Sequence, residues 1–349
     1  MTSAEVVALV PTYRRPVPLA RALRSVLAQT WTASRASVFD NASGDETEEV
    51  VKRLSREGSV SYHRHPTNLG AGPNFLYALA HVDAPFFSIL SDDDLLLPRF
   101  YEEAMAAFAR HPEAGFVCLD VMWANDRGDV WWESSMRDCP EGLYAVPDGL
   151  RAMARFVPTT WTGVVFRREV VDVIGPLDLE VGTAFDIDFL LRAAARFPFV
   201  LRHAPGAVFI PVSIADAPSL RGSVEGFWPG WMRMVDRIAE DSVLPQAVRT
   251  EAKAVLTELL ADHLGHLGLA ALVRGDIGHA ARAAEVLARH LGYRRLGLAL
   301  SLATGAVRLL PGSRAGLRTI FDLRQATRHL LHRARGGQVL ADVVPRELL

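Results

Sequence analysis

Hydrophobic and polar positions change period in blocks along the first half of the chain. Val6 to Val10 is a continuous apolar run closed by Pro11-Thr12-Tyr13, the pattern of a strand buried on both faces. Leu19, Leu23, Val26 and Leu27 then fall at helical spacing, and Ala36 to Phe39 predicts a second strand. A helix over Glu46–Arg56 carries acids in its first turn and Lys52 and Arg53 later, as the helix dipole favours. Val60 to His63 predicts a third strand, the glycine-rich Asn68–Asn74 opens a helix through Ala80, and Phe86–Leu90 predicts the next strand. Further on come a helix over Arg99–Arg110, a strand over Gly115–Leu119 and an irregular, Trp-rich stretch over Trp123–Asp148. After these we read a strand over Trp161–Phe166, a helix over Arg167–Ile174 stopped by Gly175-Pro176, a helix over Ala184–Arg192, and short strands at Phe197–Val200 and Gly206–Ile210. Strands alternating with helices predict an α/β domain with a mainly parallel sheet and a site at the strand carboxyl ends.

Each early strand hands over to a polar loop: Pro11-Thr12-Tyr13, Asp40-Asn41, Asn68–Gly70 and Asp92-Asp93-Asp94. Three successive carboxylates at a strand end repel one another, and a divalent cation relieves that repulsion. Mg2+ or Mn2+ favours carboxylate together with phosphate oxygens. The same triplet also reads as a solvated acidic turn before a helix starting near Pro98. The first strand lacks Gly-x-Gly-x-x-Gly and no P-loop is present, which disfavours a nicotinamide-type domain and a nucleotidyltransferase.

These pieces in this order resemble the nucleotide-binding half of the inverting family-two glycosyltransferases with the GT-A fold, including the spore-coat polysaccharide transferase type. The resemblance covers residues 5–100 and rests on Val10–Tyr13 with Arg15-Pro16, Asp40–Ser43, Asn68–Gly70, and Asp92–Asp94 with Pro98. It implies a mixed sheet flanked by helices that binds a nucleoside diphosphate sugar. Pro11, Thr12 and Tyr13 would line base and ribose, and the Asp40 carboxylate would accept a pyrimidine N3–H. Arg15, Asn41, Asn68, Gly70, Asp92 and Asp93 complete the expected donor set, with Asp93 and Asp94 at the Mn2+ or Mg2+. Ser91 stands where many members have Asp, and Pro73 where Arg is frequent. Downstream, the family's general base maps to Asp186, six positions before Arg192, with Asp188 as the second choice and Phe185 where Glu is frequent. Trp161, Thr162, Gly163 and Asp188 are the acceptor-side candidates, and Trp131 and Trp132 offer faces on which a sugar stacks. His203 reads as a satisfied surface residue. The implied reaction is metal-dependent transfer of a sugar, from UDP or dTDP, to an acceptor hydroxyl with inversion. The acceptor would be a saccharide, a lipid-linked sugar or a small molecule, in polysaccharide, glycolipid or natural-product glycosylation. A non-catalytic sugar-nucleotide-binding or scaffold subunit is the alternative.

The expected organisation is a catalytic domain over 1–212, divided near residue 100, then a linker or active-site loop over 213–230 and helices over 231–349. Pro211–Gly230 is rich in proline and glycine and reads as loop. Beyond it, Leu256, Leu260, Leu264 and Leu267 form one stripe, Ala280, Ala284, Leu287 and Leu291 another, and Ile320, Leu323, Thr327 and Leu330 a third. The chain has a net charge of −2, but Leu272–Arg335 holds 12 arginines against 3 acids. That basic region suits a homodimer contact or the inner face of an anionic membrane, and nucleic acid is not an expected partner. Two cysteines argue against a disulfide framework, and no leader pattern opens the chain, so a cytoplasmic protein is expected.

Overall fold

The computed structural model describes residues 5–124, 129–132, 139–156, 160–210 and 224–310, with positions 312, 316, 318, 319, 338, 339 and 344. The chain divides into two compact units, one of residues 1–179, 185–213 and 337–349, the other of 180–184 and 214–336.

The first unit is a mixed α/β sheet built from the predicted alternation. Its first elements are β1 (Val6–Thr12), α1 (Pro16–Leu27), β2 (Ser34–Asp40), α2 (Thr47–Leu54), β3 (Val60–Arg64), α3 (Ala71–Ala80), β4 (Phe86–Ile89) and β5 (Leu95–Leu96). Then follow α4 (Phe100–Arg110), β6 (Phe116–Ala124), β7 (Asp129–Trp132), β8 (Gly142–Tyr144), α5 (Asp148–Phe156), β9 (Val164–Arg167) and α6 (Arg168–Ile174). The unit is completed by α7 (Phe185–Ala194) and β10 (Phe199–Phe209). Every residue of β1 is buried, as its unbroken apolar run requires. Pro16 opens α1, where a missing N–H costs nothing, and Leu19, Leu23 and Val26 turn into the core.

Strands run in the order β7-β6-β9-β4-β1-β2-β3. The β4-β1-β2-β3 pairs are parallel, whereas β9 lies antiparallel between β4 and β6. Register sets Thr12 opposite Asp40 and Asp40 opposite Arg64, so the polar residues that end these strands share one edge.

Three local expectations are corrected. Trp161–Gly163 forms a short 3-10 turn and the strand begins only at Val164, because Gly163 N–H bonds back to the Thr160 carbonyl at 3.1 Å. The two short strands after α7 are one, β10, which pairs with β6 across register shifts at Pro205. Residues 224–230 are helical instead of loop, and Gln338–Val339 returns to the sheet as β11 against β7, so the helical region begins earlier and stops sooner than predicted.

The second unit holds α8 (Val224–Glu240), α9 (Gln246–Arg274), α10 (Ile277–Glu285) and α11 (Arg294–Leu309). Its α8 keeps helical form through Pro229 because Val224, Trp231, Met234, Val235 and Ile238 bury one face, and Gly230 lets the helix lie directly on the Val181 backbone. Leu256, Leu260 and Leu264 are fully buried on α9, and Ala280 on α10, as the stripes predict. The third stripe, the linker at 213–223 and the side chains of Trp131 and Trp132 lie outside the described residues. Among the described residues no helix is long and apolar enough to cross a membrane.

Candidate active site

The three carboxylates after β4 have three different fates. Asp92 accepts the Thr12 hydroxyl at 2.7 Å and the Arg15 guanidinium at 3.3 Å. Burial, then the Asp93 charge, pushes its pKa up to about 6 against the pull of Thr12 and Arg15. Asp93 is half-buried and takes the shorter Arg15 contact, 2.6 Å to Oδ2. Asp94 is fully buried: Thr162 Oγ1 donates to its Oδ2 at 2.5 Å, and the Ile210 N–H donates to Oδ1 at 2.9 Å. Burial, and then Asp93, raises its pKa well above the usual carboxylate range. The structure thus turns Asp94, expected at the metal, into a tie between the Trp161–Gly163 turn and the end of β10.

The loops beside this turn lock one another. Asp40 is buried, with Oδ1 accepting both the N–H and the hydroxyl of Ser43 and Oδ2 accepting the Tyr62 hydroxyl at 2.6 Å. The Tyr62 phenol is pushed up by that burial and by the Asp40 carboxylate. Ser43 Oγ in turn accepts the Arg14 N–H at 2.8 Å. Arg14 and Ala42 both sit at positive φ, 54° and 62°, a strain that non-glycine residues carry where the surrounding bonds enforce it. Tyr13 is left 38% exposed, with the Arg14 guanidinium 5.2 Å from its ring centre. Asn41 donates to Asn68 Oδ1 at 2.9 Å and to the Gly70 carbonyl at 3.0 Å, and accepts the Leu69 N–H at 2.8 Å. Three expected donor-binding residues, Asn41, Asn68 and Gly70, are therefore joined to one another. Asn74 fixes the same loop from below through the Phe39 carbonyl and His65. Tyr62 enters this scaffold without any local sequence signal; only the pairing of β2 with β3 brings it to Asp40.

On the acceptor side, Trp161 packs against Phe75 and Phe185, with ring centres 5.1 and 5.4 Å away. Phe185 leads directly into Asp186 in the first turn of α7. Asp94 is thus bonded to Thr162, whose neighbour Trp161 packs on Phe185, the residue before Asp186. Asp186 Oδ1 accepts the Ile187 N–H at 2.8 Å, and among the described residues no side chain bonds it. Burial raises its pKa to about 6, against the backbone N–H groups that favour the anion. Asp188 is a different kind of residue. It is buried and accepts Arg192 Nε at 2.7 Å, while the same guanidinium donates to the carbonyls of Ile174 and Pro176. The second-choice base is thus a fastener between α7 and the end of α6. His203 is satisfied, as expected, by Asp120 and the Cys139 carbonyl.

Among the described residues no three His, Cys, Asp or Glu side chains form a closed metal site. One or two carboxylates completed by substrate phosphates is the usual Mg2+ arrangement, and Asp93 with Asp92 beside it fits that donor chemistry.

The family model for glycosyl transferase family 2 matches residues 7–175. Residues 7–175 are thus similar to glycosyl transferase family 2. The family-2 region is 23% identical over 168 residues to the uncharacterized glycosyltransferase YibD of Escherichia coli, covering 47% of this chain and 48% of that protein. The chain thus spans about half the length of that relative. An uncharacterized protein of Mycobacterium tuberculosis, MT1568, is 24% identical over 286 residues, 70% of this chain and 87% of its own. In three dimensions the family-2 fold is shared with TarS of S. aureus in complex with UDP-GlcNAc, at a TM-score of 0.66 and 17% identity over 87% of this chain and 92% of that one. It is also shared with the Pyrobaculum calidifontis mannosyltransferase PcManGT in complex with GDP-Man and Mn2+, at a TM-score of 0.54 and 17% identity over 89% of this chain and 88% of that one. These likenesses establish the GT-A fold.

Proposed function

We propose that the chain transfers a sugar from a nucleoside diphosphate sugar to an acceptor hydroxyl, with inversion at the anomeric carbon. The observation that carries this reading is Asp186: a carboxylate with no side-chain partner among the described residues, raised to about 6, next to the Phe185 that packs on Trp161. A base with that pKa is ionised at neutral pH yet takes a proton readily. As the acceptor oxygen attacks the anomeric carbon, Asp186 takes its proton, and the bond from that carbon to the diphosphate breaks with its electron pair on the leaving oxygen. Asp93 would hold the Mn2+ or Mg2+, which when bound would supply Lewis-acid neutralisation of the leaving diphosphate. Arg15 adds positive charge on the same side.

Tyr13, with Pro11 and Thr12 behind it, lies at the base and ribose. Asp40, whose Oδ2 takes the Tyr62 hydroxyl and lies 3.8 Å from Arg64 Nε, is the residue we assign to a pyrimidine N3–H, so UDP- or dTDP-sugars are the favoured donors. The UDP-GlcNAc bound by TarS supports this choice over the GDP-Man of PcManGT only by analogy of fold. The acceptor belongs to polysaccharide, glycolipid or natural-product glycosylation at the cytoplasmic side of a membrane. Helix α11 supports that location: Leu298, Leu302 and Leu309 are exposed on it beside Arg294, Arg295 and Arg308, and Val286–Leu310 contains no acid.

The test is hydrolysis of UDP- and dTDP-sugars with and without Mn2+ in the absence of acceptor. Slow, Mn2+-dependent release of the nucleotide is expected from the parent; release by neither donor class, despite tight binding, would identify a binding subunit instead.

A further inference from the structure

Arg15 stands between β1 and α1, with Nη1 2.6 Å from Asp93 Oδ2 and 3.3 Å from Asp92 Oδ1. Among the described residues it is the one cationic side chain paired with the acidic turn. We propose that Arg15 is a resident counter-ion, and that it and a divalent cation compete for the Asp93 carboxylate. The inference rests on the reading of Asp93 as the cation-facing residue.

The three carboxylates differ in what they can give up. Asp94 is held by Thr162 and the Ile210 N–H, and Asp92 by the buried Thr12 hydroxyl as well as by Arg15. Asp93 alone is held by nothing but Arg15 among the described residues. Ser91, directly before the triplet, brings no fourth charge. A metal–carboxylate bond of about 2 Å at Asp93 would set the ion against a guanidinium already 2.6 Å from Oδ2, a repulsion of a double charge by a single one. Arg15 has somewhere to go: its side chain is 30% exposed, and among the described residues its side-chain bonds are the two to this turn. Thr12 keeps Asp92 in place when Arg15 leaves. The released guanidinium offers a planar set of donors that matches diphosphate oxygens. Entry of the cation is thereby coupled to release of the arginine toward the donor.

Competition and simple support of the fold predict opposite results. On the full chain, Arg15→Gln should bind Mn2+ alone about tenfold more tightly or better than the parent, read from the electron paramagnetic resonance signal of free Mn2+. The same variant should bind UDP in saturating Mn2+ about tenfold less tightly, read by calorimetry, because a phosphate partner is gone. Arg15→Lys keeps the charge and should stay within a few-fold of the parent in both. Weaker binding of both Mn2+ and UDP by a folded Arg15→Gln would overturn the proposal in favour of a structural role. Asp93→Asn separates the two layers of the argument. If it loses Mn2+ while Arg15→Gln gains none, the competition is wrong and the cation site stands. If it binds Mn2+ as the parent does, the cation site itself is misplaced and the competition falls with it.

Discussion

Asp186 carries the most direct test at the scale of single residues. Asp186→Asn removes the proton acceptor and keeps the shape, so transfer should fall on the order of 10²–10⁴-fold while UDP affinity, measured by calorimetry, stays near the parent's. Its raised pKa predicts an ascending limb in the pH–rate profile near 6, below which the protonated carboxyl is inactive. The sign for stability runs the other way. A carboxyl whose pKa rises from 3.8 to about 6 on folding favours the native state while protonated, and that contribution is lost as pH rises through about 6. Thermal melts should therefore show Asp186→Asn more stable than the parent at pH 8, with the gap closing below about pH 4. Asp188, two positions away, is instead bonded to Arg192 Nε at 2.7 Å.

At the scale of elements, two contacts set the geometry around these residues. Arg192 joins Asp188 to the Ile174 and Pro176 carbonyls, which fixes α7 against the end of α6. Arg192→Met removes the guanidinium that the buried Asp188 carboxylate and the two carbonyls share. Chemical denaturation should show a loss of about 3–5 kcal/mol, the usual consequence of breaking a buried pair. In the helical unit, a methyl group at Gly230 would lie 2.4 Å from the carbonyl of Val181. Gly230→Ala should cost about 1–3 kcal/mol by overpacking, seen in the same measurement. Prolines and glycines here pointed to a loop, but the burial of Trp231, Met234 and Val235 on one face outweighs the single hydrogen bond that Pro229 forgoes.

At the scale of the whole molecule, the excess of basic residues is concentrated in Leu272–Arg335. The outward stripe of α11 predicts co-sedimentation with vesicles containing anionic lipid at low salt. Replacing Arg294, Arg295 and Arg308 together with Gln should abolish it, at roughly 1 kcal/mol for each charge. A protein that stays in the supernatant and sediments as a dimer would instead mark the stripe as a contact between copies.

The strand–helix alternation, the polar loops at the strand ends and the family-2 resemblance were all legible in the chain, because they depend on periods and residue types a few positions apart. Asp186 was named through the family resemblance, from its place six positions before Arg192. What only the tertiary structure decided was the employment of each polar group: Asp94 to Thr162, Asp40 to Tyr62, Arg15 to Asp93, Asp188 to Arg192. The same holds for the return of Gln338–Val339 to the sheet. Three of those four pairs join positions 22 to 78 apart. Which carboxylate is buried, paired or left free is a matter of desolvation and partner geometry, and both come into being only when distant segments meet.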